Sequence, residues 1–131
     1  MAKMLGVWIV VNNPNRTTSQ DLNLTVGGTI LLTEAEVRAL GGGGLFTVNV
    51  RIMDDDSFSD DLVHSDATFQ INVQGTAPQG FHTGVIVPHS KLNDCELWYE
   101  DWAEIYARVS AKSGNVQTNS SNSSNVSVRV D

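Results

Sequence analysis

Residues 46–73 read FTVNVRIMDDDSFSDDLVHSDATFQINV. Phe46, Val48, Val50 and Ile52 alternate with Thr47, Asn49, Arg51 and Met53, and Ala67, Phe69, Ile71 and Val73 alternate with Thr68, Gln70, Asn72 and Gln74. A period of two is that of a strand with one face buried. Two such runs flank residues 54–66, which hold Asp54, Asp55, Asp56, Asp60, Asp61 and Asp66. The stretch therefore reads as strand, acidic loop, strand, and the rest of the chain is expected to complete a sandwich around it.

Working outward, residues 5–12 form a strand apolar on both faces, which predicts a central strand with Trp8 in the core. The turn signal of residues 12–15 follows. Leu22, Leu24 and Val26 alternate with polar residues. Gly27 and Gly28 then predict a tight turn, with a short strand over 29–32. Thr33 and Glu36 have the spacing of a capping box, so a short helix is expected from Glu34 to Leu40, closed by Gly41. Beyond the acidic hairpin, residues 81–87 predict a strand ended by Pro88, and 89–94 a loop. Residues 95–102 suit one helical turn, with Trp98 and Trp102 at i and i+4. Residues 104–111 predict a strand. Residues 113–125 are Asn/Ser-rich and nearly uncharged, which predicts a mobile loop with too little apolar surface to offset its ordering entropy. Val126, Val128 and Val130 make the last strand. The fold class is all-β: a single-domain antiparallel β-sandwich over 1–131, of about eight strands with one short helix.

The chain has 131 residues, 15 acidic and 8 basic, for a net charge of −7. Residues 52–90 carry six of the aspartates and neither Lys nor Arg. That field argues against nucleic acid, which is held by Lys and Arg, and favours a cation or a basic partner. Cys95 is the single cysteine, so no internal disulfide forms. The apolar run near the start spans only residues 7–11, too short for a signal peptide or a membrane span. A cytoplasmic product, or one released without a signal as virion proteins are, is the expectation.

Calcium takes six to eight oxygen ligands, and a loop bearing Asp54, Asp56, Asp60 and Asp61 between two anchored strands can converge several. The EF-hand pattern fails, because Phe58, Ser59 and Ser65 stand where it needs an oxygen ligand, glycine and glutamate. Residues 50–63 instead resemble the third calcium loop of the lipid-binding sandwich domains of protein kinase C and synaptotagmin. In those domains an apolar strand ends in Asp-x-Asp, and an Asp-Asp-aliphatic-aliphatic-Gly run follows. The resemblance implies that Asp54 and Asp56 bridge calcium, that Asp60 or Asp61 adds a ligand, and that Phe58 dips into lipid. His64 replaces that family's glycine, and its first calcium loop has no clear counterpart beyond Asp21 or Asp101. Residues 101–106 are similar to the Asp-x-Ala-x-x-Tyr entry to the sixth strand of immunoglobulin-like domains, without their paired cysteines.

Trp98 and Trp102, with Tyr99 and Tyr106, lie among Asp94, Glu96, Glu100, Asp101 and Glu104. Rings beside carboxylates can cover the apolar face of a sugar while the acids accept its hydroxyls. The alternative is that the rings are core, since Trp supplies large packing area. His64, His82 and His89 match no zinc spacing, with His82 expected on a solvent face. No Gly-x-Ser-x-Gly setting exists for a nucleophile. Asn15, Asn23, Asn119, Asn122 and Asn125 fit the glycosylation pattern, which here reflects Asn/Ser-rich loops.

The sequence therefore predicts a non-enzymatic binding module, calcium-dependent through the acidic loop. The alternatives are a virion or surface-assembly subunit that forms homo-oligomers, and a carbohydrate-binding module using Trp98 and Trp102. Its expected partners are a protein, a membrane surface or a glycan, with neither nucleic acid nor a transmembrane segment.

Overall fold

The computed structural model of the protein describes residues 1–55, 61–93 and 102–130, with residues 43, 61, 65, 66 and 93 described by backbone alone. It is an antiparallel β-sandwich. The smaller sheet has the order β1-β2-β5, formed by β1 (Lys3–Val11), β2 (Leu22–Leu31) and β5 (Gln79–Val87). The larger has β4 (Asp61–Gln74), β3 (Gly43–Asp54) and β6 (Trp102–Ser113) in that order. Three short strands then pair in turn along the far edge of β6: β7 (Val116–Gln117), β8 (Ser121–Asn122) and β9 (Val126–Arg129). The described residues thus hold nine strands. Two short helices accompany them, α1 (Glu34–Ala39) and α2 (His89–Asn93), the latter where the sequence predicts loop.

The alternation of residues 46–52 sets the core as expected. Phe46, Val48, Val50 and Ile52 are fully buried, facing Val109, Ala107 and Ala111 on β6 in the same sheet and Leu24, Val26 and Val85 of the opposite one. The Phe69 and Phe81 rings meet at 5.7 Å and lock β4 onto β5. The capping box forms: the Thr33 hydroxyl accepts from the Glu36 amide and Glu36 Oε1 accepts from the Thr33 amide. Its second oxygen accepts from Ala2 N–H, tying the start of β1 to the helix. Gly41, at φ +71°, ends the helix in the left-handed region as predicted. The helix carries the chain from the smaller sheet to the larger.

Four local expectations are corrected. β1 is an edge strand, and Trp8 is 41% exposed rather than core. A bulge between Leu5 and Trp8, at Gly6 with φ +58°, turns Trp8 outward to lie opposite Gly27. Gly27 and Gly28 are not a turn but lie within β2. Gly27 leaves room for the Trp8 ring on the outer face, and Gly28 for Phe81 and Met4 on the inner. The acidic loop is shorter than residues 54–66, because β4 begins at Asp61. Bulges at 50–53 absorb the offset that breaks the alternation there. Finally, residues 116–123 are not free loop but are fastened along β6.

Candidate functional site

One end of the sandwich gathers the features singled out by the sequence. Asp54 ends β3 on the inner row, opposite Ile105 and, on its other side, opposite Asp61 at the start of β4. It is only 9% exposed. The strands thus bring Asp54 and Asp61 to one cross-strand position. Asp56, Phe58 and Asp60 lie outside the described residues, as do Trp98 and Asp101. No group of three His, Cys, Asp or Glu side chains is assembled for a metal among the described residues. Asp21 is held by His89, whose backbone amide and ring Nδ1 both lie 3.0 Å from Oδ1. The amide bond first, then the ring, holds the Asp21 carboxyl below its ordinary value. His64 is half-buried on β4, and His82 faces solvent on β5 as expected.

Trp102 opens β6 and is 54% exposed. It stands beside a cleft of about 510 Å³ where the two sheets meet. Val11, Leu22 and Val128 supply apolar surface, and the 13–16 loop brings Asn13, Asn15 and Arg16 to the rim. Ser127 and Arg129 complete it from β9. Side-chain hydrogen bonds fasten this loop. Asn13 Nδ2 donates to the Asp21 carbonyl at 2.9 Å and its Oδ1 accepts from the Asn23 amide at 2.8 Å. Arg16 Nη1 donates to the carbonyls of Thr17 (3.1 Å) and Gln20 (2.9 Å), and Nη2 to that of Arg129 across the seam. Partial burial lowers the Arg16 pKa, opposed by Asp21, yet a guanidinium stays charged.

The cleft combines what recognition of a small polar ligand uses: an aromatic wall, an apolar floor, and fixed donors and acceptors, at a volume typical of ligand sites. Sequence reading reached Trp102 but not its neighbours, because Arg16 and Arg129 are 113 residues apart in the chain. The turn signal of residues 12–15 was the available pointer. The asparagines of the glycosylation pattern at 119, 122 and 125 are engaged internally, with Met4, Arg108 and Asp55 respectively.

No protein-family model matches the sequence, and no curated protein matches it either. Solved structures do match the fold. A β-glucuronidase from glycoside hydrolase family 2 superposes with a TM-score of 0.64 at 14% identity, over 95% of this chain and 11% of that one. The β-glucuronidase of Bacteroides uniformis superposes with a TM-score of 0.53 at 12% identity, over 89% of this chain and 12% of that one. The chain thus spans about a ninth of the length of these two structures, and the likeness shows an antiparallel β-sandwich fold. No helix among the described residues is long and apolar enough to cross a membrane.

Proposed function

We propose that the protein is a non-catalytic carbohydrate-binding module whose site is the cleft beside Trp102. The observation that carries this reading is the exposed indole set against rigid polar groups at the junction of the sheets. The ring covers a sugar's apolar face, and Asn13, Asn15 and Ser127 bond its hydroxyls. The likeness to a domain-sized part of glycosidases supports the reading. Binding rather than cleavage is favoured because glycoside hydrolysis uses two carboxylates across the scissile bond, and none of the described lining residues is acidic. Calorimetric titration with a panel of defined oligosaccharides tests it. At least one should bind, and Trp102→Ala should weaken that binding about tenfold or more, some 1.4 kcal/mol. A blank panel, or a variant that binds as well as wild type, removes the reading.

A second reading concerns the hairpin end, where the pairing of Asp54 with Asp61 favours calcium. Calcium takes several carboxylate oxygens, and the backbone register brings residues 54 and 61, two of the four candidate ligands, side by side at the hairpin end. Calcium at a hundredfold excess over its Kd stabilises a protein by about 2.7 kcal/mol. Melting should therefore rise in millimolar calcium over EDTA, and Asp54→Asn should abolish the rise. Identical melting curves in the two buffers dispose of it.

A further inference from the structure

The outer face of the larger sheet is basic and polar in a chain of net charge −7. Its cross-strand rows are set by the register. Arg51 lies opposite Arg108, which lies opposite Asn122. Thr68 lies opposite Asn49, which lies opposite Ser110. Gln70, Thr47, Lys112 and Gln117 form a third row. Among the described side chains these rows contain three cations and no carboxylate; Asp66 lies at the β4 bulge beside Arg51, and Asp55 and Glu104 lie beyond Tyr106. None of the three takes part in an ion pair among the described residues, whose pairs are Met1–Glu36, Arg38–Glu34 and His89–Asp21.

Like charges directly opposite each other destabilise a sheet, so the Arg51–Arg108 pair costs stability unless something negative lies across it. Arg108 is held in place for such a role. Its Nε donates to Asn122 Oδ1 at 3.1 Å, its Nη2 to the Tyr106 hydroxyl at 3.1 Å, and its guanidinium sits 5.7 Å from the Tyr106 ring centre. Three of its five N–H groups have no partner among the described residues. Beside it a shallow depression of about 280 Å³ is lined by Thr47, Asn49, Arg51, Ser110, Lys112 and Gln117. Strand spacing puts the two arginine stems about 5 Å apart, and Lys112, four residues along from Arg108, about 14 Å away.

We propose that this face binds an acidic oligosaccharide, with carboxylate or sulfate groups seated on Arg51, Arg108 and Lys112. The forked guanidinium matches the two oxygens of such a group. The row between the charged rows offers hydroxyls and an amide, which suit the hydroxyls between a glycan's acidic groups. Single-stranded nucleic acid is disfavoured because the rows present no ring on which bases stack, and the duplex arm of the test below decides for the double-stranded form. The site is on a sheet face, apart from the Trp102 cleft, and stands whether or not that cleft binds sugar.

The test measures binding of a heparin-derived hexasaccharide (sulfated), hexagalacturonate (carboxylated), maltohexaose (neutral) and a short DNA duplex at low salt. At least one acidic glycan should bind, more weakly as salt rises, and the neutral one should not compete. Arg51→Gln and Lys112→Gln should each weaken binding about tenfold without lowering the melting temperature, and Arg51→Gln should raise it if anything, since it removes a like-charge pair, whereas Trp102→Ala should leave binding intact. The sulfated and carboxylated arms identify which acid is preferred. The proposal is overturned if neither acidic glycan binds at millimolar concentration, or if both charge variants bind like wild type. It is equally overturned if the duplex binds as tightly as the glycans with the same dependence on Arg51, since charge alone would then explain the face.

Discussion

A Cβ built on Gly27 would stand 2.3 Å from Cε2 of the Trp8 indole, closer than such atoms approach. The glycine is therefore the seat of the ring. The fit explains how a large aromatic side chain on an exposed strand face stays flat against the sheet. Gly84, also outward-facing on β5, has nothing within 4 Å of the same position. The two glycines should respond oppositely to alanine. Gly27→Ala pushes the indole off the sheet and should cost about 1–2 kcal/mol, as overpacking does. Gly84→Ala should be neutral or gain up to about 1 kcal/mol, because glycine within a strand is unfavourable. Urea denaturation gives both values, and the Trp8 indole N–H resonance should move only in the Gly27 variant. Equal responses at the two sites would show that the ring is not seated as described.

The Asn/Ser-rich tract after β6 is ordered by a device made of two side chains. Thr118 donates its amide to the Ala111 carbonyl at 2.9 Å, and its hydroxyl accepts from the Ala111 amide at 2.9 Å. Ser123 does the same for Ala107, at 2.8 and 2.9 Å. Each residue alone satisfies both backbone groups of its partner on the edge of β6, as a strand would. A buried amide left without its acceptor costs about 1–3 kcal/mol. Thr118→Val, which keeps the shape, and Ser123→Ala should each lose stability in that range and speed amide exchange at Ala111 or Ala107. Ser124→Ala, at an exposed neighbour, should do neither. The device also marks where the sequence stopped being legible. Residues 46–52 announced their strand because alternating burial is written in polarity, and Thr33 with Glu36 announced the cap because that motif is local. The role of Thr118 and Ser123 depends on partners seven and sixteen residues away in register, and composition registers only that the tract is polar. Trp8 was misplaced for a related reason: the bulge at Gly6 shifts the alternation by a residue, which apolar residues on both faces conceal. At the candidate site, the aromatic wall was legible and the arginines that frame it were not.

Across the whole molecule the two sheets are joined along one side by polar fastenings as well as by the core. Asn119 Oδ1 accepts from the Met4 amide at 3.0 Å, holding the tract beneath the larger sheet to β1 of the smaller. At the cleft end Arg16 does the corresponding work, reaching from the β1–β2 loop to the Arg129 carbonyl on β9 while gripping two carbonyls of its own loop. The acceptors are carbonyls, so the contribution depends on the shape of the fork more than on net charge. Arg16→Lys keeps the charge but replaces the planar fork by a compact ammonium that cannot span all three oxygens. The variant should lose about 1.5–3 kcal/mol, the range of hydrogen bonds made by a charged group. The loss should persist at high salt, where ion pairs between exposed side chains are screened. Because Arg16 also shapes the rim beside Trp102, the same variant should bind any cleft ligand less tightly under conditions where it is fully folded. A lysine variant that matches wild type in both stability and binding would mean that the seam is held by the apolar core alone, and that the cleft's shape owes nothing to this residue.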